Sequence, residues 1–212
     1  ESEAKPVEGP GNTTLSWMKN NKIIVLAGNI KIIDLESNKI GEIRKKFGFE
    51  PVEMKNYEDN LYFLGSKNIY KITNALISPR EELEWLKPAE AEKVPGNFIA
   101  FDFDSNIYVL TNERKMAVLF KGGLAKLIDL DFEIRPGTEL FNLGNPSTSL
   151  GAGNELLVMD KEMKLARLID NSGGLKISYD LSNVDEIKDA FFDKKSRTLY
   201  ILSPTKIWEL KI

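Results

Sequence analysis

The sequence predicts an all-β chain, a β-propeller of about five four-stranded blades, and three observations carry that prediction. Five short apolar runs rich in β-branched and aromatic residues begin at residues 23, 61, 107, 156 and 199. Their starts lie 38, 46, 49 and 43 residues apart, within the range of a four-stranded propeller blade. A second apolar run starts 7 to 9 residues after each first one, as a β-hairpin requires. A third run alternates apolar with polar residues, the mark of a strand exposed on one face.

Each element follows from its local pattern. The first runs (Ile23-Ile24-Val25-Leu26, Leu61-Tyr62-Phe63-Leu64, Ile107-Tyr108-Val109-Leu110, Leu156-Leu157-Val158-Met159 and Leu199-Tyr200-Ile201-Leu202) are continuously apolar, so both faces must be covered. The second runs occupy 30–35, 69–72, 116–120, 165–169 and 207–210. Turn residues join the two at 28–29, 65–68, 112–113, 160–162 and 203–204. Leu83 and Trp85, then Ile128, Leu130 and Phe132, then Leu175, Ile177, Tyr179 and Leu181 mark outer strands by period-two alternation. An innermost strand should precede each first run by about nine residues, and 15–18, 52–57, 98–102 and 190–193 fill that place. The fourth repeat offers only the small, Gly-rich 147–152. Either that inner strand is irregular, or 133–145, with Pro136 and Gly137, is an inserted loop. Helix is expected only in short turns such as 79–84 or 184–188.

Residues 1–12, acidic and carrying Pro6, Gly9, Pro10 and Gly11, read as a linker or closing segment, and 13–212 as the propeller. The last repeat supplies three strands, so 4–8 is expected to pair beside 207–211 and cover an otherwise open edge. The alternative is that the segment is part of a six- or seven-bladed ring. The chain begins at Glu1 rather than Met and is expected to be a monomeric ring within a longer protein.

Composition narrows the chemistry. The chain holds no Cys and no His, which removes disulfides, thiol nucleophiles, His-ligated metals and Ser-His-Asp catalysis. Its 29 Lys and Arg against 32 Asp and Glu give a net charge of −3 with both signs interspersed, which argues against nucleic acid as a partner. No run approaches the 18 or so apolar residues of a membrane span.

Carboxylate pairs are the catalytic option that remains. Asp102, Asp189 and Asp193 lie on or near inner strands, and a glycoside hydrolase would need two such groups roughly 5 to 9.5 Å apart. Acidic residues at strand ends are more often turn formers. Asp102, Asp104 and Asn106 with Glu113 at the twelfth position imitate a calcium loop, but Ile107 stands where that loop needs Gly, and 107–110 is a buried run in the repeat. The glycines at 122–123, 151–153 and 173–174 lack phosphate-loop spacing and read as turns. No cofactor or metal is expected. Lys67, Arg114 and Arg135, with Lys115, Lys161 and Lys206, fall on the face that carries the hairpin turns and inter-blade connections. Loops on one rigid face are where repeat scaffolds bind, so Lys67, Arg114 and Arg135 are the candidate binding residues. Trp17, Trp85 and Trp208 are expected to pack between blades.

The stretches 60–72 and 197–208, each a strand, a tight turn and a second strand, resemble the β-propeller repeats of the NHL, WD40 and quinoprotein-like families. No Trp-Asp dipeptide or Gly-His pair occurs, which departs from WD40. The chain also looks like the propeller region of large membrane-anchored bacterial proteins. That resemblance implies an extracytoplasmic, non-catalytic binding or scaffold module with a protein or glycan partner on one face. The alternative reading is a carboxylate-dependent glycoside hydrolase of the five-bladed type.

Overall fold

Strands that are apolar on both faces need a sheet on each side, and the chain meets that need by repetition. The computed structural model describes residues 15–19, 22–27, 29–37, 39–43, 49–75, 82–144 and 154–212. The expected pairing of 4–8 lies outside them. Nineteen described strands form five antiparallel sheets, each with its strands in sequence order. The first holds β1 (Leu15–Lys19), β2 (Lys22–Ala27), β3 (Asn29–Asp34) and β4 (Lys39–Ile43). The second holds β5 (Glu53–Tyr57), β6 (Asn60–Leu64), β7 (Ile69–Ile72) and β8 (Glu82–Glu84). A single turn of helix, α1 (Pro88–Ala91), leads to β9 (Phe98–Phe103), β10 (Ile107–Thr111), β11 (Lys115–Phe120) and β12 (Gly123–Asp129). The fourth sheet comprises β13 (Glu139–Gly144), β14 (Glu155–Asp160), β15 (Leu165–Asp170) and β16 (Leu175–Asp180). The fifth has three described strands, β17 (Asp189–Asp193), β18 (Thr198–Leu202) and β19 (Ile207–Lys211). These sheets are the blades of a five-bladed β-propeller.

The chain divides into two compact units. Glu1–Phe63 with Tyr70–Leu83 forms one, whose core packs Ile24, Leu26 and Ile30 against Met54, Leu61, Phe63 and Ile72, with Phe49 stacked on Tyr70 at 4.1 Å. Leu64–Ile69 with Glu84–Ile212 forms the other. Within it, Ala100, Leu110 and Met116 meet Leu140, Leu156 and Ile169 between the third and fourth sheets. Leu157, Met159 and Leu168 meet Phe192, Leu199 and Ile201 between the fourth and fifth. Each such Leu, Ile, Met or Phe side chain removed from water contributes about 1.5–3 kcal/mol. Trp208 packs into this last interface, as expected, and Lys206 lies over its ring at 3.7 Å.

Outer strands face solvent, as β16 with five of six residues exposed shows. Three details differ from expectation. Residues 139–144, inside the supposed insertion, form the fourth inner strand, paired to β14 with Leu140 opposite Val158. The alternation Ile128, Leu130, Phe132, Ile134 outlasts β12 because the connecting segment beyond Asp129 also plugs the inter-sheet core. The described helix lies at Pro88–Ala91, where Pro88 suits the first turn, whereas 82–84 is strand and 184–188 is non-helical.

Candidate functional site

Sequential antiparallel strands put the β10–β11, β14–β15 and β18–β19 turns and the inter-sheet connections at one end of the second unit, and the remaining turns at the other. Lys67, Arg114 and Arg135 all lie at the first end, but they are differently employed. The Lys67 ammonium donates to the Val94 carbonyl at 3.0 Å. Arg135 opens a turn through Pro136 and Gly137, whose φ of 81° lets the Thr138 N–H return to the Arg135 carbonyl at 3.1 Å. Its guanidinium reaches Glu133 at 2.8 Å and the buried Asp160 at 3.5 Å. Lys161 pairs with Glu139, lies 3.7 Å from Asp189 and donates to the Lys188 carbonyl at 3.3 Å. Lys164 donates to the Asp185 carbonyl at 2.7 Å, and Lys115 pairs with Asp129. These cations fasten loops to one another. Arg114 is exposed, in the left-handed region at φ 56°, and its guanidinium has no partner among the described residues. Arg135 and Lys161 are thus both engaged beside the fourth sheet, with different carboxylates, while Lys67 and Arg114 stand on turns of separate sheets.

A polar cluster sits on the inner strands of the third and fourth sheets. β13 lies at one margin of its sheet, so its outer N–H groups need partners. The Asn142 N–H donates to the Asp102 carboxylate of β9 at 2.6 Å, and the Asn142 side-chain oxygen accepts from Gly144 N–H at 2.8 Å. Asn142 is 1% exposed and its side-chain amide nitrogen makes no hydrogen bond among the described residues. Asp104 accepts from the Tyr108 hydroxyl at 3.0 Å, from Asn106 N–H at 2.5 Å and from the Asn154 amide. Burial and the Asp104 charge push the Tyr108 phenol up to about 12, so it stays protonated and donating. Residues 104–106 are the turn between β9 and β10, and the residues after them are strand, which excludes the calcium-loop geometry.

Asp193, Asp170 and Asp34 are turn formers. Asp193 accepts from Lys195 N–H at 3.0 Å and from the Ser196 hydroxyl at 2.6 Å, and these bonds hold its pKa below the usual range. Asp170 does the same with Ser172 and Gly174, and Asp34 with Ser37 and Glu36. A general acid needs the opposite shift. Asp189 lies beside Lys161, so the three candidate carboxylates have separate surroundings, and no trio of His, Cys, Asp or Glu gathers among the described residues.

The opposite end of the fourth and fifth sheets holds an ion triad absent from the sequence reading. Glu155, 7% exposed, accepts from Lys176 at 3.0 Å on one oxygen and from Arg197 at 2.8 Å on the other. Burial pushes this carboxyl up, but the two cations outweigh it and hold its pKa below the ordinary value. The sequence signal was the cation run at 194–197, within a hairpin turn.

No protein-family model matches the chain, and no curated protein matches it in sequence. Solved structures do resemble it. BBS1N in complex with ARL6DN, in crystals soaked with mercury and with lead, superposes with a TM-score of 0.55 at 13% identity, over 89% of this chain and 59% of that one. The chain therefore spans about three-fifths of BBS1N. A streptogramin B lyase structure superposes with a TM-score of 0.54 at 15% identity, over 97% of this chain and 71% of that one. At such identities the likeness is one of fold.

Proposed function

We propose that the chain is a non-catalytic binding module that holds a protein partner on the loops at its blade ends. One observation carries this reading: the carboxylates a hydrolase would recruit are engaged in turns and strand edges, with Asp193 held ionised and Asp102 accepting an inner-strand N–H. The similar folds include one crystallised with a protein partner and one bearing an enzyme's name, so the choice rests on the carboxylates. Loop-to-loop bonds such as Lys67 to Val94 and Lys164 to Asp185 support it further, because a preorganised surface loses less entropy on binding. A location outside the cytoplasm belongs to the same proposal and rests on the resemblance to membrane-anchored proteins.

The test is hydrolysis of a panel of aryl glycosides and polysaccharides by the wild type, Asp102→Asn and Asp193→Asn. The expected result is no turnover above buffer. Wild-type turnover that falls about 100- to 10,000-fold in either variant would overturn the reading.

A further inference from the structure

We propose that the end of the fourth and fifth sheets around the β17–β18 turn is a docking surface for an acidic protein segment. The inference rests on the binding-module reading and names the surface and the chemistry of its partner. It starts from the turn Asp193-Lys194-Lys195-Ser196-Arg197. Asp193 ties its carboxylate into the turn's own N–H groups and the Ser196 hydroxyl, so the acid faces inward. Lys194 and Lys195 are exposed, and neither ammonium makes a hydrogen bond or close ion pair among the described residues, the Lys195 charge acting only at longer range on Asp193. Arg197, at φ 50°, directs its guanidinium onto Glu155, whose other oxygen takes Lys176. Two cations share one buried carboxylate, which leaves a positive charge at the surface. Register places Lys211 opposite Thr198 at the same end, where its ammonium donates to the Thr198 hydroxyl at 2.6 Å.

Five cations thus meet three side-chain carboxylates, Glu155, Asp170 and Asp193, each committed to hydrogen bonds of its own, and Arg197 also donates to the Ile212 main-chain oxygen at 3.4 Å. The chain as a whole carries −3, so this surplus is local. At the other end Lys67, Lys161 and Lys164 are occupied in fastening connections, and Lys206 lies over the Trp208 ring. An acidic protein segment fits the charge of the two turns, whose residues 194–197 and 171–174 contain no apolar side chain to enter a bilayer, the exposed Leu175 lying beyond them at the start of β16. The same residues offer no aromatic ring for base stacking, which disfavours a single-stranded nucleic acid.

The experiment measures fluorescence anisotropy of fluorescein-labelled octaglutamate against the 212-residue chain, its Lys194→Glu/Lys195→Glu and Lys194→Gln/Lys195→Gln variants, and Lys126→Glu, an exposed position on β12 of the third sheet. Charge reversal should weaken binding about tenfold or more, neutralisation less, and Lys126→Glu by less than about twofold. Labelled octaglutamine should not bind. Equal losses in the Lys126 and double variants, or equal binding of octaglutamine, would overturn the proposal. So would tighter binding to vesicles containing about 30% phosphatidylserine, which would make a lipid surface the partner. Loss of the peptide result with a silent glycoside panel removes this surface alone, whereas turnover in that panel removes the module reading beneath it.

Discussion

Glu155→Gln is the most informative single change, because it removes one charge from a site that two cations share. The substitution keeps the shape and one acceptor oxygen, and it turns an N–H₂ group toward either Lys176 or Arg197. Breaking a fully buried ion pair costs about 3–5 kcal/mol. Here the Lys176 and Arg197 side chains are 42% and 31% exposed and can turn toward water, so the expected loss is smaller, about 1.5–3 kcal/mol. For a chain of this length that corresponds to a fall in Tm of roughly 3–12 °C. Urea unfolding at pH 7 measures it directly, as a lower midpoint at unchanged slope. The folded pKa of Glu155 is depressed below the unfolded value of 4.5, so its contribution is fully present above that pH and is lost as pH falls through the folded pKa. The gap between wild type and variant should therefore narrow on acidification from pH 5 to about pH 3. A gap under about 0.5 kcal/mol at pH 7, or one that widens in acid, would refute the account.

Two further changes separate kinds of cost. Gly122→Ala should lose about 2–4 kcal/mol, since φ is 78° and the new Cβ would lie 2.5 Å from the Trp85 carbonyl oxygen, whereas Gly137→Ala, at φ 81° in open space, should lose only about 1–2 kcal/mol in the same thermal melt. Asp102→Ala should cost about 1–3 kcal/mol by leaving the Asn142 N–H unmet, and Asp102→Asn, which keeps an acceptor, no more than about 1 kcal/mol; equal urea midpoints for the two would remove that role for the carboxylate.

The blades were legible because a strand covered on both faces cannot hide its composition: Leu61, Phe63 and Leu64 are fully buried, and their neighbours leave no polar residue to obscure the run. The fourth inner strand was not, because Asn142 interrupts its apolar pattern. That residue is tolerated only through Asp102, forty positions earlier, a contact that no local window contains. Alternation misplaced the outer strand of the third sheet for a related reason, since Leu130 and Phe132 are buried without belonging to a strand. At the candidate site, residue type identified cations on turns but not their employment. Lys67 and Lys161 are drawn off by carbonyls 27 positions away, Val94 and Lys188, through a loop path that composition does not encode. Lys194 and Lys195 make no close ion pair because the Asp193 oxygens already accept from the N–H groups and hydroxyl of their own turn.

Every described strand pairs with its immediate neighbour in sequence, so among the described residues no strand pairing waits on a distant part of the chain. Hairpins of this kind close on a timescale of microseconds, long before a ribosome adds the next residue. What each nascent sheet lacks is a cover for its apolar face, and the next sheet supplies it: Leu157 and Met159 gain theirs only once Phe192 and Ile201 have emerged. Synthesis order and assembly order therefore coincide. At any moment the growing stack exposes only the faces of its first and latest sheets rather than those of every sheet, which limits the surface through which it can be captured by a chaperone or by another copy of itself.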